Sequence, residues 1–131
     1  MIRPVGFFLE LGGGWGFGGG GLLRDAVNLV GEPDEAAVLG YLRGGAGVWS
    51  ETSAGADVLE PGGPVMAGIG SLYTDGTWLW RQDLAYYLAT YHVSLPPDFL
   101  AHVREADHLV PDVPEARLME ILTRDLGIPM G

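Results

Sequence analysis

The chain has 131 residues, 47% of them hydrophobic, enough for one domain with a buried core and too apolar for disorder. Asp and Glu number 17 against 7 basic residues; the net charge of −10 repels nucleic acid and anionic membrane and attracts basic partners. There is no Cys, and every basic residue is Arg, which excludes disulfides, thiol catalysis, thiolate metal sites and lysine Schiff-base or phosphate-loop chemistry.

The N-terminal "MIRPVGFFLELGGG" carries one Arg and an apolar run cut by Glu10. That run is too short for a secretory signal or a membrane span, so a cytoplasmic protein with no membrane partner is expected. Val5 to Leu11 reads as a strand of aromatic and branched residues that ends at glycines. After the glycine tract, Leu22 to Val30 has the spacing of a short helix. The next helix, in "EPDEAAVLGYLRGG", has Pro33 in its first turn, Asp34 and Glu35 at the positive end of its dipole and Gly44 at its stop. Val38, Leu39 and Leu42 would face the core.

From Ala46 to Gly70 glycines and prolines cut the chain into short pieces, with strands expected in "VWSET", in "ADVLE" and toward Thr74. "SLYTDGTWLWR" is a hairpin signal, with Asp75-Gly76 as the two positive-φ residues of a type I′ turn. Within it Trp78 and Trp80 share one strand face and Leu79 takes the other. Leu84, Tyr87, Leu88 and Tyr91 then form a helical stripe, with Asp83, Tyr86 and Thr90 on another face. "VSLPPDFLAHVREAD" restarts a helix after two prolines. The last helix is expected to open on a capping box of Asp112 and Glu115, to bury Leu118, Ile121, Leu122 and Leu126, and to end at Gly127. The order of elements implies a single α+β domain over residues 1–131, with a small, mostly antiparallel sheet, a hairpin at 71–80, flanking helices and a helical C-terminal third.

Few motifs carry chemistry. Gly14-Trp15-Gly16-Phe17-Gly18-Gly19 matches G-x-G-x-x-G formally, but a tract this rich in glycine matches almost automatically. No second strand with an acidic end follows, so the tract reads as a loop. His92, His102 and His108 fit no metal-ligand spacing, and neither a metal nor a cofactor is expected. Asp75 and Asp83 each have a structural role, in the turn and at the helix start. No nucleophile elbow is present. The residues left over for binding are Trp15, Phe17, Trp78, Arg81, Asp83 and Tyr86, a polar-aromatic set of the kind that anchors interfaces.

"LRDAV", "PDEAAVLGYLRGG" and above all "TDGTWLWRQDLAYYLATYHVSLPPDF" resemble a group of small, acidic, actinobacterial-type proteins. These share a pattern close to T-D-G-x-W-x-W-x-x-D-L-A-Y-Y-(x)-Y-x-V-x-L-P, and the resemblance covers Leu23 to Val103. The pattern usually has Pro where this chain has Arg81. The resemblance implies an immunity-type or accessory factor of a bacterial toxin system. The expected function is therefore a non-catalytic acidic binding protein whose partner is a basic macromolecule. The alternative is a small-molecule binder or small enzyme of a biosynthetic pathway, with a pocket between the hairpin, the glycine loop and the Tyr-rich helix. Glu51, Asp57 or Asp83 would then supply its polar groups.

Overall fold

The structure is a computed structural model that describes residues 2–11, 17 and 21–129. Trp15 and the rest of the glycine tract apart from Phe17 and Gly21 lie outside the described residues.

The fold is α+β. A four-stranded sheet has the order β1-β6-β5-β2, built from β1 (Arg3–Pro4), β2 (Ala46–Trp49), β5 (Leu72–Thr74) and β6 (Trp78–Arg81). β1 runs parallel to β6 and the other pairs are antiparallel. A separate ribbon pairs β3 (Ala54–Ala56) with β4 (Val65–Ala67). The helices are α1 (Leu23–Ala26), α2 (Glu35–Arg43), α3 (Leu84–Tyr91), α4 (Pro97–Glu105) and α5 (Glu115–Glu120), the last continued by a π-helical segment, Ile121–Asp125.

Strand alternation in β6 divides the interior in two. Trp78 and Trp80 face one side, where they are buried with Val38, Tyr41 and Leu42 of α2, Leu84, Tyr87 and Leu88 of α3, and Phe99, Leu100 and Val103 of α4. Leu79 faces the other side with Ile2, Phe7, Val48, Leu72 and Ile121, against which Leu118, Leu122 and Leu126 pack. The sheet thus has helices on both faces, and all four residues of β6 are buried. Phe99 holds the larger core together by edge contacts to Tyr41, Trp78 and Trp80.

The chain departs from its sequence pattern where tertiary contacts outweigh local preference. The expected strand at Val5 to Leu11 does not form: the strand lies earlier, at Arg3–Pro4, and Gly6, with φ +76°, breaks the extended run. The break sends Phe7 to one core and Phe8 to the other, and Leu9–Leu11 close a 3-10 turn. The helix expected over Leu22 to Val30 ends at Ala26, because Val27 turns extended and the chain bonds to the segment after α3. Asn28 N–H donates to the Tyr91 carbonyl and Ser94 N–H to that of Ala26, leaving Leu29 and Val30 on the surface. The strands expected in "VWSET" and "ADVLE" shift toward the N-terminus, to β2 and β3.

The hairpin turn moves by one residue. Thr74 pairs with Leu79, and Gly76-Thr77 form the loop; Gly76 has φ +96°, but Asp75 has no positive φ. The type I′ expectation fails because the Asp75 carboxylate folds inward and accepts the N–H groups of Thr77 and Trp78. The capping box also fails: α5 starts after Pro114, with no side-chain cap.

Candidate functional site

The residues proposed from sequence do not come together. Trp15 is outside the described residues. Phe17 packs on Phe7, ring centroids 4.8 Å apart. Trp78 is in the larger core beneath the Arg3 guanidinium, which sits 4.1 Å from the ring centroid. Arg81 and Asp83, expected in the polar-aromatic binding set, are buried and hold each other through two hydrogen bonds of 3.1 Å. The same guanidinium donates to the Leu11 carbonyl. Burial raises the Asp83 carboxyl above its ordinary value, and the Arg81 guanidinium only partly opposes this. This pair joins the last residue of β6 to the N-cap position of α3.

Tyr86 is half-buried, and its hydroxyl donates to Asp57 at 2.7 Å. Tyr91 donates to the same carboxylate oxygen at 2.5 Å, while the other oxygen accepts the N–H groups of Leu59 and Glu60. The Tyr87 hydroxyl accepts the Val58 N–H. Burial pushes the Asp57 carboxyl up, but the hydroxyl and backbone donors outweigh it and hold it below 3.8. Three tyrosines of α3 therefore pin the loop after β3. Glu51 accepts the Ser53 hydroxyl. The pocket expected between the hairpin, the glycine loop and the Tyr-rich helix falls largely on the glycine tract, outside the described residues.

A different constellation emerges. Each of the three histidines meets a carboxylate. His92 Nδ1 lies 2.9 Å from both oxygens of Glu35, His102 Nε2 lies 3.0 Å from Asp75, and His108 Nε2 lies 2.7 Å from Asp34. An ionised carboxylate can only accept, so opposite one the facing ring nitrogen is the donor. Asp34 also takes two bonds of 2.9 Å from Arg104. Arg104 first and His108 second hold its carboxyl far below the usual range. Asp75 additionally accepts the Tyr41 hydroxyl at 2.5 Å, so one buried acid ties the hairpin to α2 and α4. Sequence reading missed these pairs because their members stand 27 to 74 residues apart.

The Glu35–His92 pair borders a cavity of about 640 Å³ between α2, the end of α3, α4 and the segment 28–32. Val38, Leu88, Val93, Leu95 and Leu100 supply its apolar lining, and Asn28, Glu32, Glu35, His92, Ser94 and Arg104 its polar groups. His92 ends α3 in the left-handed region, φ +53°, which turns its ring back toward α2. Gly31 closes over the pair: a Cβ there would stand 1.8 Å from Glu35 Oε2 and 3.0 Å from His92 Nδ1. Asn28 Nδ2 donates to the carbonyls of Ala26 and His92 and to the Ser94 hydroxyl, fixing the wall opposite α2.

Together the cavity offers an apolar floor with a rim that carries Glu32 and Glu35 against one Arg; Arg104 is held by Asp34 and Glu32, and Glu35 faces His92. Such a site favours a group with an apolar stem and a cationic or donor-rich end. Among the described residues no three His, Asp or Glu side chains group as metal ligands would, and no helix is long and apolar enough to cross a membrane. No protein-family model, curated protein or solved structure matches this chain.

Proposed function

We propose that this chain is a non-catalytic binding protein for a basic partner, of the immunity or regulatory kind, and that a basic side chain of the partner enters the cavity between α2, α3 and α4. One observation carries the reading: an apolar-floored cavity of about 640 Å³ whose rim presents Glu32 and Glu35. The stem of an Arg or Lys would lie on Val38, Leu88 and Leu100 and its head would reach Glu35. The net charge of −10 would draw the same partner from a distance. Exposed Val30 at the mouth supplies apolar contact beside the charged socket.

The volume also lies within the range of small-ligand pockets, roughly 300–1,000 Å³, so a free amine with an apolar body is the second reading. Calorimetric titration with acetyl-arginine amide and its uncharged counterpart acetyl-norleucine amide tests both. The arginine amide should bind, the norleucine amide should bind at least tenfold more weakly, and Glu35→Gln should remove the difference. Equal affinities, or no binding of either, would overturn the assignment.

A further inference from the structure

A second cavity of about 490 Å³ adjoins the first, lined by Pro4, Val5, Phe7, Phe8, Leu22 and Ala26 among others, and Ser94 and Leu95 line both. Its lining is mostly apolar, with Asp25 as its one acid. At the first cavity, Val30 and Gly31 line the rim, and their backbone N–H and C=O groups make no hydrogen bond to the described residues. Leu95, in the shared wall, makes no backbone hydrogen bond among the described residues either. Open main-chain groups at the rim of the first of two joined sockets and in the wall they share are features that recognise an extended peptide: main-chain bonds for affinity, side-chain sockets for specificity.

Resting on the reading above, we infer that the partner is recognised as an extended segment, with a basic side chain in the acid-rimmed cavity and an apolar side chain in the second. Charge complementarity sets which end goes where. Glu32 and Glu35 face the first socket, whereas the aromatic and aliphatic walls of the second offer little to a charge. Binding both side chains through one backbone raises affinity because the second contact forms at high effective concentration.

The probes are acetyl-Arg-(Gly)n-Leu-amide peptides and their reversed counterparts, with one to three glycines, titrated against the full chain beside acetyl-arginine amide. At least one spacing should bind tenfold or more tightly than acetyl-arginine amide. Leu22→Trp, which fills the second cavity from a residue that does not line the first, should abolish that gain and leave the affinity for acetyl-arginine amide unchanged, which also shows the variant folded. If no spacing improves on acetyl-arginine amide, or if the gain survives Leu22→Trp, the two-socket inference is wrong. If acetyl-arginine amide itself fails to bind the unaltered chain, the first socket falls, and this inference with it. Leu22→Ala, which widens the second cavity, gives an independent arm: it should lower the peptide's gain without moving the smaller probe.

Discussion

At the scale of single residues, the acids of this chain differ by where their charge ends up. Asp83 is sealed against Arg81, and removing one member of such a pair strands the other in the interior. Asp83→Ala should therefore cost about 3–5 kcal/mol in chemical denaturation, the penalty typical of a broken buried ion pair. A cost below about 1 kcal/mol would mean that Arg81 finds solvent. Asp57 behaves oppositely. Its carboxyl is held below 3.8 in the folded chain, so the folded state binds that proton less readily than the unfolded chain does. The stability it gives is present above pH 3.8 and is lost as pH falls through the lowered folded value. Asp57→Asn should flatten the loss of stability below about pH 4 in acid-denaturation curves. An unchanged acid limb would place the effect in other carboxylates. The sequence showed that Asp83 stands at a helix start, and it does; nothing in it indicated that the side chain would turn back to Arg81 rather than cap the helix.

At the scale of elements, periodicity identified what packs on both sides of the sheet. Of the stripe Leu84, Tyr87, Leu88 and Tyr91 the first three are buried, as is the Trp78 and Trp80 face of β6, while Tyr91 is half-buried with its hydroxyl on Asp57. Local pattern failed where glycine or a long-range bond decided the path, at Gly6, at Val27 and in the hairpin turn. Two glycines make the distinction testable. Gly6 has φ +76°, and a Cβ would press to 2.6 Å on Leu84, which is fully buried and cannot retreat. Gly6→Ala should lower stability by about 1–3 kcal/mol from overpacking alone, with backbone strain added. At Gly31 the clash is with the end of the flexible Glu35 side chain. Gly31→Ala should change thermal stability little while weakening acetyl-arginine amide binding, because it displaces Glu35 from His92. Equal destabilisation by the two substitutions would contradict the view that Gly31 serves the cavity rather than the fold.

At the scale of the whole molecule, the acidic balance and the cavity point to the same partner chemistry. The charge was legible in composition; the cavity was not, because α2, the end of α3, α4 and the segment 28–32 meet only once the chain is folded. If the net charge steers association, the on-rate for a basic peptide should fall severalfold between low and high salt, since exposed charges are screened over about 8 Å at physiological ionic strength. A salt-independent rate would confine the acidity to solubility. The most direct measurement of the central claim is a backbone amide NMR titration of the full chain with acetyl-arginine amide. The account predicts saturable shifts centred on Gly31, Glu35, Val38, His92 and Leu100. Shifts centred instead on Asp57, Tyr86 and Tyr91, or no shift at any concentration reached, would contradict it.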